Sequence, residues 1–174
     1  MILFDNEKHD YVLTFDIEFD QTFIVQFAGI LFKRIGNNGA FAIYRTLNSY
    51  VSCSPSYPFR NYTHLTTEFL LENGVRKEDL VQQIEDVLLK DIPLDKLLVV
   101  SHGLQSDREI LIKNCINLQY DPKTIKPIDG YCTFTHARKI LNRKTDLKLG
   151  DVAREAGWYM DREHNAFNDA WATA

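Results

Sequence analysis

Asp16 and Glu18 interrupt an apolar run, Tyr11-Val12-Leu13-Thr14-Phe15-Asp16-Ile17-Glu18-Phe19. A strand alternates its faces with period two, so both carboxylates point the same way. Two acids on one face beside a core repel each other unless a cation lies between them. A hard divalent metal is the expected occupant. Three more residues extend this chemistry. Asp107 follows a second apolar run, and His164 and Asp169 fall near the end as His164-Asn165-Ala166-Phe167-Asn168-Asp169. Five residues turn a helix by about 140°, so His164 and Asp169 cannot share a helical face. His164 is therefore expected in the loop before a helix that carries Asp169, free to fold back toward the acids.

The elements that must position these groups can be read from pattern. Residues 11–18 and 23–32 read as buried strands, and 40–51 as a third strand rich in β-formers. Gly36-Asn37-Asn38-Gly39 supplies the turn between the last two. Residues 52–62, with their prolines and serines, read as loop. A short helix capped by Thr66 or Thr67 should run to Leu71 and stop near Gly74. Residues 77–90 carry Leu80, Val81, Ile84, Val87 and Leu88 on one face of an amphipathic helix. Residues 97–101 are too short and too β-branched for a helix and read as a central strand. Residues 107–118 read as a helix on which Asp107 is either the N-cap, a metal ligand, or both. A short strand at 125–128 and helices at 133–141, 147–156 and 165–173 complete the reading, with Phe167 and Trp171 on a core face. Strands first, then alternating helix and strand, imply an α/β fold: a mixed sheet flanked by helices on both sides. Ligands bind such sheets at strand ends, where Asp16, Glu18 and Asp107 are expected.

Bulk properties bound the answer. A chain of 174 residues fits one domain, and 45% apolar with 25% charged residues reads as globular rather than disordered. The formal charge of −4 offers no basic field for nucleic acid. Two divalent ions would offset the four acids, leaving contacts to local pairs such as Lys33-Arg34, Arg138-Lys139 and Arg143-Lys144. Cys53, Cys115 and Cys132 have no metal-ligand spacing and read as reduced, mostly core thiols of a cytoplasmic protein. The first eight residues lack the basic-then-apolar pattern of a leader, and no run approaches the ~18 apolar residues of a membrane span.

Taken in order, Asp-x-Glu, then Asp, then His-x4-Asp resembles the DEDDh 3′→5′ exonucleases, which share a ribonuclease H-like fold. Phe15-Asp16-Ile17-Glu18 is similar to the family's first motif, Ser101-His102-Gly103-Leu104-Gln105-Ser106-Asp107 to the second, and His164-Asn165-Ala166-Phe167-Asn168-Asp169-Ala170 to the third. Thr63-His64-Leu65-Thr66, Ile128-Asp129 and Leu147-Lys148-Leu149 resemble intervening segments. Phe19-Asp20-Gln21 stands where the family often has Thr-Thr-Gly. Gly103 and Ser106 replace a common Asn and Phe.

The resemblance implies a ribonuclease H-like mixed five-stranded sheet flanked by helices. It also implies one exonuclease domain over residues 1–174, whole or part of a longer chain. Asp16, Glu18, Asp107 and Asp169 would hold two Mg²⁺ or Mn²⁺ ions, whose hard character suits oxygen ligands. His164 would act as general base, releasing 5′-mononucleotides from 3′ ends. Substrate contacts would fall at Ile17, Phe19 and His102. Phe19 either stacks on a base or packs in the core, and His102 either touches substrate or closes the strand end. The implied partner is a single-stranded DNA or RNA 3′ end, because a terminus must be peeled away to reach buried metals. Proofreading subunits of bacterial replicases use DNA in this family, and oligoribonucleases use RNA. A catalytically inactive nucleic-acid-binding or scaffold module on the same fold is the alternative. A ribonuclease H-type endonuclease fits the Asp-x-Glu and His-x4-Asp spacing less well. A serine hydrolase lacks the Gly-x-Ser-x-Gly elbow.

Overall fold

A computed structural model describes residues 8–36, 39–114, 116, 128–142, 147–160 and 164–174. Five strands form one mixed sheet in the order β3-β2-β1-β4-β5. β1 (Tyr11–Asp20), β2 (Phe23–Ile35) and β3 (Ala40–Tyr50) make the antiparallel meander expected from their β-rich runs. β4 (Leu97–Ser101) lies parallel to β1, and β5 (Asp129–Cys132) lies parallel to β4. The β1–β4 pairing ends at Thr14↔Val100. β1 thus runs on past the end of β4, and its last residues, Asp16 and Glu18 among them, line the mouth of the sheet.

Register sorts the side chains of β1 between two layers. Leu13, Phe15 and Ile17 face the main core with Phe27, Leu31, Ile84, Leu88 and Leu111. Phe15 stacks on Phe27 with ring centroids 6.1 Å apart. The alternate residues Thr14, Asp16 and Glu18 stand opposite Ile30, Ala28 and Gln26 of β2. Directly opposed residues share a face. Ala28 and Ile30 pack against Ala166 and Ala170 of α7 (Ala166–Thr173), whose small side chains let the helix approach closely, with Phe167 and Trp171 at its edge. The two acids of β1 are therefore on the α7 side of the sheet.

Helices cover both faces. α1 (Tyr57–Thr63) occupies part of the segment expected to be loop. Ser56 caps it and Pro58 sits in its first turn, where a missing N–H costs nothing. The serines and prolines that suggested a loop thus start a helix instead. α2 (Thr67–Asn73) follows with Thr66 as cap and stops at Gly74, as expected. A Cβ on Gly74 would lie 2.4 Å from the Leu70 carbonyl oxygen and 2.5 Å from the Ser52 nitrogen, so only glycine fits this close crossing. The amphipathic run forms α3 (Lys77–Gln83) and then widens into a π-helical stretch, Ile84–Leu89, that seats Leu88 against Gly29. Arg45 Nη1 donates to the Lys90 carbonyl at 2.7 Å and ties the end of this stretch to β3.

α4 (Leu104–Lys113) begins earlier than expected, with Gly103 at its cap. Asp107 is consequently in the first turn and is not the N-cap. α5 (Thr133–Ile140), α6 (Leu149–Glu155) and α7 fall close to the expected helices. The short strand expected at 125–128 is found at Asp129–Cys132, directly after Ile128, and residues 125–127 lie outside the described ones. Cys53 and Cys132 are free and half-buried rather than core residues, and Cys115 lies outside the described residues. Among the described residues no helix is long and apolar enough to cross a membrane.

Candidate active site

Each acid reaches the mouth of the sheet from a different element. Asp16 and Glu18 come from β1. Asp107 and Asp169 occupy equivalent places in their helices: the Asp107 N–H donates to the Gly103 carbonyl at 3.1 Å, and the Asp169 N–H to the Asn165 carbonyl at 3.0 Å. Both carboxylates thus sit one turn into a helix that starts at the acid end of the sheet. Asp107 is held further by Ser101, whose fully buried hydroxyl donates to its Oδ2 and accepts the Gly103 N–H at 3.1 Å. The first turn of α7 is fixed by Asn165, which accepts from the N–H groups of Phe167 and Asn168. Gln26, wholly buried on β2, accepts the Ala166 N–H at 3.2 Å and donates to Asn48 at 2.9 Å.

His164 stands just before α7, as the spacing required, with a left-handed backbone at φ 62°. One donor atom each from Glu18, His164 and Asp169 lies within 4.8 Å of the others, close enough to share one ion. Asp16 and Asp107 are outside that tight trio but within electrostatic reach of it. Burial raises the Asp16 carboxyl well above the ordinary range, and the charges of Asp169, Asp107 and Glu18 push it higher still. Burial, then Asp169 and Asp107, lift Glu18 to about 7. Burial lifts Asp107 to about 6 against the opposing bonds from Ser101 and the Gly103 backbone. Every resolved influence on Asp16 and Glu18 raises them. Such a set fits hard divalent cations: oxygen donors converge, and their mutual repulsion is what an ion would relieve.

The expected substrate contacts fall differently. Ile17 is 4% exposed and committed to the main core, so only its backbone is left to meet a ligand. Phe19 is 37% exposed at the rim, beside a register shift in the β1–β2 pairing, and is not a core residue. Both nitrogens of His102 are taken. Nε2 faces the Leu147 carbonyl at 2.9 Å and Nδ1 faces the Thr133 hydroxyl at 3.0 Å. A carbonyl can only accept, so Nε2 carries a proton, and burial lowers the pKa of the ring. His102 braces β4 against α5 and the approach to α6. Lys33 pairs with Tyr11 and Arg34 with Asp10 at the opposite end of the sheet, over the rings of Tyr44 and Phe41. Arg138 lies over Phe134, and Arg143-Lys144 is outside the described residues.

Comparison with solved structures adds the fold's company. An exonuclease I structure superposes with a TM-score of 0.73 at 15% identity, covering 95% of this chain and 39% of that one. The zinc-bound form of an E. coli exonuclease I–ssDNA complex gives 0.70 at 15% identity, with the same coverages of 95% and 39%. Exonuclease I from Methylocaldum szegediense gives 0.65 at 16% identity, covering 94% of this chain and 38% of its own. These likenesses establish the fold: a ribonuclease H-like mixed sheet flanked by helices. This chain spans well under half of the exonuclease I chains. No family model matches the sequence, and no curated protein does.

The sequence pattern singles out the five polar residues that the fold brings to the mouth of the sheet, but not the residues that support them. Gln26 was visible as a lone amide in the apolar run Phe23-Ile24-Val25-Gln26-Phe27. Ser101 was visible as the polar end of an apolar strand. Asp20 had no such signal. Its carboxylate accepts the Ser56 N–H at 2.6 Å and the Ser56 hydroxyl at 3.0 Å, anchoring α1 beside the acids.

Proposed function

We propose that this chain is a divalent-metal-dependent 3′→5′ exonuclease domain that hydrolyses single-stranded nucleic acid from its 3′ end and releases 5′-mononucleotides. The observation that carries the reading is the crowding of Asp16, Glu18, Asp107 and Asp169 at the mouth of a ribonuclease H-like sheet, with His164 beside them. These four carboxylates would hold two Mg²⁺ or Mn²⁺ ions. Bound there, the ions would supply Lewis-acid activation of the scissile phosphodiester and of the attacking water.

The chain's own groups do the rest. Ser101 and the Gly103 backbone orient the Asp107 carboxylate. Gln26 and Asn165 fix the first turn of α7 and with it Asp169. His164 takes the proton of the attacking water as a new P–O bond forms. The bond from phosphorus to the 3′ oxygen of the preceding nucleotide breaks, that oxygen takes a proton from water to leave as a hydroxyl, and His164 returns its proton to solvent. Phe19, exposed at the rim, offers a ring face to the terminal base. Cytoplasmic residence belongs to the same proposal, since the free thiols of Cys53 and Cys132 suit a reducing compartment.

A second role for His164 has specific support. Its ring nitrogen shares the 4.8 Å trio with Glu18 and Asp169, so it could ligate an ion directly. Metal titration of His164→Ala separates the two roles: a base leaves metal affinity intact, whereas a ligand does not.

Degradation of 5′-labelled and 3′-labelled single-stranded DNA and RNA, with Mg²⁺, Mn²⁺ or chelator, tests the proposal. Single-stranded DNA comes first because the exonuclease I complex above holds it. The expected result is a ladder shortening from the 3′ end that chelator abolishes. Oligonucleotide binding without hydrolysis under every metal condition would make the chain a binding module instead.

A further inference from the structure

We propose that Tyr62 is a positioning residue for His164, and that α1 is the mount that carries it. This inference rests on His164 acting in the reaction and goes beyond it. His164 belongs to no regular element and has a left-handed backbone, so the side chains packed on its imidazole help to set the ring's direction. A general base is ordinarily oriented by a third group. A ring is in place to contribute here: the Tyr62 and His164 centroids are 3.7 Å apart with planes inclined by 34°. The rings meet in a tilted contact, closer than most aromatic pairs.

Tyr62 is itself well placed by the fold. Asp20, two residues after Glu18 on β1, binds both the N–H and the hydroxyl of Ser56, the cap of α1. Phe59 plants the helix in a small core with Val25, Leu65 and Leu70. Thr63 closes the last turn through its bond to the Phe59 carbonyl at 3.0 Å. The acid strand therefore carries, through Asp20 and α1, the ring that faces the base. Tyr62 is 57% exposed, so its removal leaves the core intact. The residues Phe19-Asp20-Gln21, which depart from the family's usual sequence, acquire a use: Asp20 is the anchor.

The test is a double-mutant cycle on single-stranded DNA hydrolysis with Mn²⁺. Tyr62→Ala should lower kcat by about 10- to 100-fold, the cost of a misplaced reacting group, and leave KM nearly unchanged. Tyr62→Phe, which keeps the ring face, should restore the parent's rate. In a His164→Ala background, Tyr62→Ala should cost nothing further. Equal losses with and without His164, or a loss confined to KM, would assign Tyr62 to the substrate and overturn the proposal. An independent readout keeps this separate from the exonuclease reading. In NMR spectra the His164 ring protons should show a ring-current shift that persists in Tyr62→Phe and vanishes in Tyr62→Ala. Unshifted ring protons in the parent would refute the contact whatever the activity, whereas an inactive parent with the shift intact would refute only the exonuclease reading.

Discussion

At the start of β5, Asp129 is met by Lys8 and by His9 Nε2 at 2.8 Å, and the bond from Lys8 leads the effects that hold its carboxyl below the ordinary range. Asp10 nearby pairs with Arg34 at 3.5 Å. At the other end of the same strands, about 13 Å further along the register, Asp16, Glu18 and Asp107 are raised instead. The residue type is the same and the sheet is the same. At one end each acid has its own cation and is partly exposed. At the other, the acids crowd one another, Glu18 and Asp107 buried and Asp16 half-buried. Carboxylates that serve the fold are neutralised by the chain, whereas the repulsion among crowded carboxylates is what a bound cation would relieve.

Charge removal should separate the two ends most sharply. Asp16→Asn or Asp169→Asn should abolish hydrolysis, measured on labelled oligonucleotide, while raising the melting temperature of the metal-free protein by relieving repulsion. Equal or greater activity in either variant would dissolve the contrast. Next in size, His164→Ala should slow turnover by about 10²- to 10⁴-fold with metal affinity retained, the loss expected of a general base. Ser101→Ala, which frees the Asp107 carboxylate, should weaken metal binding by about 10- to 100-fold in a calorimetric titration.

A pH dependence sharpens the contrast further. Below its ordinary value of 4.5, Glu18 is protonated whether the chain is folded or not. Between 4.5 and about 7 the folded protein keeps a proton that the unfolded chain releases. Metal-free stability therefore falls as pH rises through that window. Divalent ions compete for the same oxygens, so Mg²⁺ should raise the melting temperature more near pH 8 than near pH 5.5. Asp129 has the opposite sign: its depressed carboxyl stabilises above the ordinary value and loses that contribution as pH falls. The smallest expected effect is Asp129→Asn, which should cost at most about 1 kcal/mol in a denaturant titration, because the pair is solvent-screened. It should leave hydrolysis untouched.

Period-two alternation made the meander and the shared face of Asp16 and Glu18 legible in sequence. Helical rotation made the loop position of His164 legible too. These are local geometries, and local pattern carries them. The start of α4 was misplaced because Asp107 is a favoured cap residue, whereas tertiary bonds from Ser101 put it one turn inside. α1 was hidden because serine and proline mark both loops and helix starts, and the deciding contact, Asp20 to Ser56, spans 36 positions. His102 and Ile17 illustrate the same limit. Motif membership leaves His102 open between substrate and strand end and puts Ile17 among the substrate contacts; the long-range partners Thr133 and Leu147, and the core around Phe27, occupy those side chains.

The central claim is that the crowded acids exist to hold divalent ions, and calorimetric titration of Mn²⁺ into the protein near pH 7.5 tests it most directly. The account predicts saturable binding that Asp16→Asn and Asp169→Asn remove and Asp129→Asn preserves. Absent binding in the parent, or binding that survives loss of Asp16 and Asp169, would contradict it.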